Sequence, residues 1–162
     1  MTRLIRIAES RSGLDVEAVL LDAKAPTNAA FLWEYLAQPR TVPAIHAMWT
    51  GPEISSPIPS DHLSEEIRAG SLPPENATIN PMPGDLVLAF VPRRMWGGAP
   101  EPVFDLGLFY GPGARLLFPI GWLPGSVVAQ VRPHQLESLA AACGAIRRGG
   151  ACEILYSRGA AT

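Results

Sequence analysis

Five side chains able to meet a ligand or move a proton stand near the ends of apolar runs. They are His46 and Trp49 in "IHAMWTG", Tyr110 and Arg115 in "FYGPGAR", and Trp122 in "FPIGW". A histidine titrates near neutrality, so His46 is either a proton donor and acceptor lining a pocket or a hydrogen-bonded structural group. Trp49 and Trp122 either pack a rim or wall an apolar ligand. Trp96 lies in "RRMWGGAPEP", a loop by composition, where a large aromatic is a packed flap or a binding contact. Tyr110, Arg115 and Glu53 are polar groups at strand ends, either solvated or turned into a pocket. His46, His62 and His134 fall in three separate elements with no carboxylate at metal-ligand spacing, so no metal site is expected. No glycine-rich phosphate loop, nucleophile elbow or Cys-His signature is present, the catalytic residues stay unassigned, and no cofactor is expected.

These residues must be held by strands. "RLIRIAE" and "LDVEAVLLD", joined by "SRSG", predict a hairpin with Gly13 in its turn. "APTNAAFLWEYLAQP" changes the period: Ala29, Leu32, Trp33 and Leu36 form one helical stripe, which predicts a helix over Pro26 to Ala37 with Trp33 in the core. Further strands are predicted at "IHAMWTG", "DLVLAFV", "VFDLGLFY", "ARLLFPI", "SVVAQVR" and "ACEILYS". A second helix over Pro133 to Arg147 turns Leu136, Leu139, Ala140, Cys143 and Ile146 inward, with Arg147 and Arg148 before Gly149. About eight strands and two good helices lying between strands predict a mainly β fold, a closed antiparallel barrel with a helix at each mouth. Alternation sets Ile45, Ala47 and Trp49 on one face of their strand and His46 and Met48 on the other. For His46 and Trp49 to touch one ligand, a bulge or strand end near Thr50 and Gly51 is required.

Seven of the 17 prolines fall between Pro52 and Pro83, a stretch that predicts a long excursion from the barrel. Within it "SDHLSEEIRAG" has a capping serine or aspartate, early Glu65 and Glu66, and Gly70 as a stop, so one short helix is expected. The tail after Arg158 is expected to fray. At 162 residues the chain is expected to form one domain over 1–162. A net charge of −2 with scattered basic residues argues against nucleic acid or a membrane surface as partner. "MTRLIRIAES" builds no apolar run, so neither signal peptide nor membrane helix is expected and the location is read as cytoplasmic. Cys143 and Cys152 then form a buried, reduced pair, and the "NAT" sequon at Asn76 is idle.

"LLDAKAPTNAAFLWEYL" resembles the cyclophilin step from a strand through Ala-Pro into the helix that plugs the barrel. Asn28 stands where cyclophilins have threonine, and Leu32 where they have phenylalanine. "AIHAMWTGPEISSPIP", "NPMPGDLVLAF" and "LFYGPGARLLFPIGWLPGSVVAQV" are similar to a family of short bacterial cyclophilin-like proteins of unknown function. Together the resemblance covers the chain from residue 3 to residue 157. It implies a groove beside His46, at the position of the cyclophilin Phe-His-Arg run. There an arginine polarises the prolyl amide, whose resonance sets an isomerisation barrier of roughly 18 to 20 kcal/mol. Here Ala47 replaces that arginine, and "TGPEISSP" replaces the expected Phe-x-x-Gln-Gly-Gly run. The resemblance therefore implies a binding module for a small molecule or a proline-containing peptide, with His46 and Trp49 at the groove and Tyr110, Arg115 and Trp122 around it. The alternative is an enzyme, either an isomerase using Arg115 or other chemistry centred on His46. Apolar edge strands with little charge suggest a homo-oligomer.

Overall fold

A computed structural model describes residues 2–160. Strands β1 (Leu4–Glu9) and β2 (Leu14–Leu20) form the expected hairpin, with Gly13 at a φ of 74° in its turn. Helix α1 (Pro26–Tyr35), β3 (Arg40–His46), β4 (Glu53–Pro57), the short α2 (Glu65–Ala69) and β5 (Ala77–Thr78) follow. Then come β6 (Asp85–Val91), β7 (Val103–Phe109), the small β8 (Leu117–Phe118) and β9 (Gly121–Trp122), β10 (Gly125–Val131), α3 (Leu136–Gly149) and β11 (Cys152–Arg158).

The strands pair in the order β2-β1-β11-β3-β4-β7-β6-β10, all antiparallel, and β10 returns to β2 where Ala129 meets Leu20 and Val131 meets Ala18. Eight strands thus close into a barrel, the architecture expected from the sequence, and closure removes the free edges of an open sheet. Alternate residues such as Ile7, Val16, Val42, Ile54, Leu88, Leu106 and Ile154 fill its interior. Strand directions place the two long helices at opposite ends. α1 joins the end of β2 to the start of β3 at one mouth, and α3 joins β10 to β11 at the other. α3 buries Leu139, Ala142, Cys143 and Ile146, close to the predicted stripe, and both cysteines are buried and unbonded. Among the described residues no helix is long and apolar enough to cross a membrane.

Four expectations are corrected. "ARLLFPI" is not a barrel strand; only Leu117 and Phe118 pair, with Trp122 and Gly121, in a separate two-stranded hairpin. Its apolar alternation is satisfied elsewhere, since Ala114 and Leu116 pack with Val87, Phe109 and Val127 in a second cluster on the outside of the wall. The missing barrel strand is β4, which opens the proline-rich stretch. The strand of the "IHAMWTG" stretch stops at His46, and it begins earlier, at Arg40, with Pro43 where β3 pairs with β11 but not with β4. Trp33 is half-buried at the rim, with the Arg158 guanidinium 4.3 Å from its ring centre, and Tyr35 takes the inward place. Gly159 does not fray, because its amide donates to the Leu4 carbonyl at 2.8 Å; residues 161–162 lie outside the described residues.

The proline-rich stretch also supplies the cap that α1 lacks. Ala25 at the cap position has no side-chain acceptor, and Glu75 reaches across instead, accepting from the Thr27 amide at 3.2 Å and the Asn28 amide at 2.9 Å. Burial opposes charge on Glu75, but these bonds and the one from the Asn28 side chain outweigh it, and the carboxyl is pulled down to about 2. A lowered carboxyl stabilises above its unfolded pKa and loses that contribution as pH falls. Glu75→Ala should therefore lower the thermal midpoint at pH 7, with the gap to wild type closing as the scan is repeated towards pH 2. A constant gap would count against the cap.

Candidate functional site

β3, β4, β7 and β6 stand side by side in the barrel wall, and their outward residues form a floor. Glu53, Ser55 and Pro57 alternate outward on β4, Val103 and Asp105 on β7, and Ala89 and Val91 on β6; the register sets Ser55 opposite Gly107, and Ala89 opposite Asp105. Ile45 and Ala47 line the edge. Three connections close over this floor: residues 48–50 with Trp49, the 92–102 loop with Trp96, and the segment after β7 with Phe118 and Leu123. Trp96 is the keystone, its ring centre 5.7 Å from Trp49 on one side and 5.7 Å from Phe118 on the other, both edge to face. The half-open space so formed is about 300 Å³, the size of a small-molecule site.

Two carboxylates sit in this apolar cavity. Glu53 is 3% exposed, and its Oε2 accepts from the Thr50 hydroxyl. Asp105 Oδ1 accepts from the Ser55 hydroxyl at 2.9 Å. The Glu53 side chain leans over Gly107, where a β-carbon would overlap its Oε1. Burial and then the neighbouring Asp105 charge push the Glu53 carboxyl up to about 8, against the Thr50 bond. Burial raises Asp105 to about 6, opposed by Ser55 and the Ser56 amide. Near neutral pH the pair carries about one negative charge. Among the described residues no arginine, lysine or histidine forms an ion pair with either carboxylate.

His46 faces the other way, into an open cleft beneath α3 that Tyr110, Ala140 and Arg147 also line. Its Nδ1 lies 3.0 Å from the Ala47 carbonyl, which can only accept, so Nδ1 carries the proton; its Nε2 then accepts from the Tyr110 hydroxyl at 2.7 Å. Burial is the main cause that lowers the His46 pKa, the Ala47 contact opposes it, and Arg147 adds to it. The structure therefore brings His46 to Tyr110 and, separately, Trp49 to Trp96. Arg115 is exposed and outside the linings of both cavities, its backbone amide bonded to the Thr50 carbonyl at 3.0 Å. Trp122 is 54% exposed on the small hairpin and also outside both. Asp105 and Phe118 were not singled out by the sequence reading. One signal for Asp105 was available: in "VFDLGLFY" alternation puts an acid and a glycine on the same outward face.

The model of a protein family of unknown function, DUF3830, matches residues 7–158. The chain belongs to this family. No curated protein matches it in sequence. Among solved structures it is similar to that of McbB in complex with tryptophan, at 22% identity and a TM-score of 0.63. The match covers 98% of this chain but 46% of the McbB chain, so this chain spans just under half of that protein's length. At that identity the likeness is one of fold.

Proposed function

We propose that this chain is a cyclophilin-like binding module that holds a small molecule in the cavity under Trp96 and does not isomerise prolyl peptides. The observation that carries the reading is the half-open cavity itself, walled in part by Trp49, Trp96 and Phe118 over Glu53 and Asp105. The McbB structure supports it in one respect, since a protein sharing the fold was captured with a small molecule. Against isomerisation stand two placements. Ala47, at the position where the resemblance expects arginine, offers the cavity a methyl group, and Arg115 lies outside the cavity. The cavity lining, among the described residues, holds no arginine to polarise a prolyl amide as the cyclophilin arginine does. The reading centred on His46 gains no support, because both ring nitrogens are occupied by Tyr110 and the Ala47 carbonyl.

A protease-coupled assay on a prolyl peptide, run on wild type, Ala47→Arg and Arg115→Ala, should give the uncatalysed rate for wild type and Arg115→Ala. Wild-type catalysis abolished by Arg115→Ala would overturn the proposal. Ligand entry should alter indole emission, and Trp96→Phe should weaken the response more than Trp122→Phe does.

A further inference from the structure

Glu53 and Asp105 set a problem that the protein's own residues leave unsolved. A carboxylate taken out of water is costly unless it is paired, and each of these has only one hydroxyl donor from a side chain, Thr50 for one and Ser55 for the other. Among the described residues neither carboxyl is paired with a cation, Glu53 is 3% exposed, and Asp105 gains only the Ser56 amide besides its hydroxyl donor. Both side chains line the cavity, and the cavity lining contains no arginine, lysine or histidine. Among aliphatic side chains, its walls include the rings of Trp49, Trp96 and Phe118, and aromatic faces attract cations. A neutral ligand would leave the acidic floor unpaired, and an anion would be repelled by it. A compact cation with an apolar body satisfies both.

Resting on the binding-module reading, we propose that the cavity is a site for a small primary or secondary ammonium compound, whose N–H groups donate to Glu53 and Asp105 while its apolar body lies against Trp49, Trp96 and Phe118. A half-open space of about 300 Å³ holds a molecule of one or two rings. The charge on the floor selects the ligand, and the aromatic walls contribute the apolar contact.

The test is isothermal titration calorimetry at pH 7.5 with three probes of one shape: 2-phenylethylammonium, 2-phenylethanol and 3-phenylpropionate. Wild type should bind the ammonium compound at least about tenfold more tightly than the alcohol, and the carboxylate least of all. Asp105→Asn and Glu53→Gln keep side-chain shape, and their folding is checked by circular dichroism. Each should reduce ammonium affinity by about tenfold while leaving the alcohol within about twofold. Equal affinity for alcohol and ammonium, or a preference for the carboxylate, would overturn the ammonium assignment and leave the binding module standing. An ammonium preference unchanged in both variants would also overturn it. No heat and no change in tryptophan emission with any of the three probes would overturn both readings together.

Discussion

Glu53→Gln should be more stable than wild type at pH 9 and nearly equal to it at pH 5. The cause is a proton that folding keeps on an otherwise acidic group. Glu53 is raised from an ordinary 4.5 to about 8 and Asp105 from 3.8 to about 6, so between those limits the native state binds protons that the unfolded chain has released. Stability from such groups is fully present below the unfolded pKa and is lost as pH rises through the folded one. With each pKa unit equal to about 1.4 kcal/mol, the loss for Glu53 between pH 5 and pH 9 is on the order of 4 kcal/mol. For a chain of this size that is roughly 8 to 16 °C in thermal midpoint. Glutamine has the same shape, still accepts from Thr50 and carries no charge to desolvate. Other groups shape the wild-type curve. His46, lowered from 6.5 by burial, gains stability as pH rises through that region, and Glu9 and Glu75, both lowered, lose stability towards acid. Tyr156, whose hydroxyl lies 2.9 Å from that of Ser56 inside the barrel, is held protonated by burial. The readout is therefore the difference between the two proteins across pH 5 to 9, which cancels these shared contributions. Parallel curves would show that Glu53 is not a buried, protonated carboxyl.

The sequence disclosed the barrel because its signals were periodic. Alternating runs such as "LDVEAVL" and "VFDLGLF", with Pro26 at the first turn of α1 and Arg147 and Arg148 near the end of α3, each specify an element without help from the rest of the chain. It misled where two surfaces compete for one pattern. Ala114 and Leu116 alternate as a barrel strand would, but the surface that buries them is the outside of the wall, and no local rule separates the two. β4 was hidden because Pro52 precedes it and Pro57 ends it, and because its pairing with β7 joins residues about fifty apart. The cavity is a product of register. Trp49, Trp96 and Phe118 come from three connections, and nothing along the chain says that they meet. His46 and Tyr110 attracted notice by type, yet a one-residue step along β3 separates the face of Ile45 and Ala47 from that of His46.

Gly107→Ala should close the cavity from below, and its cost should depend on Glu53. Gly107 lies on the outward face of β7 with β4 on one side and β6 on the other, so backbone on both sides fixes its position. An added β-carbon would overlap Glu53 Oε1 and stand 3.1 Å from its Cδ and 3.0 Å from Phe109 Cε2. The wall cannot retreat, so the carboxylate must swing upward into the space beneath Trp96. Such crowding of a packed site costs about 1 to 3 kcal/mol, and the displaced side chain occupies the place where an ammonium compound would sit. Binding of 2-phenylethylammonium should fall by at least about tenfold. In a Glu53→Ala background the obstacle is gone. Replacing a strand glycine by alanine is then favourable by roughly 0.5 to 1 kcal/mol of backbone entropy, less whatever Phe109 requires to move, so the same substitution should be close to neutral. Urea denaturation of wild type, both single variants and the double variant measures the coupling directly, with an expected value on the order of 1 to 3 kcal/mol. Additivity within about 0.5 kcal/mol would mean that Gly107 does not make room for the Glu53 carboxylate, and with that the built floor of the cavity would be lost as an explanation.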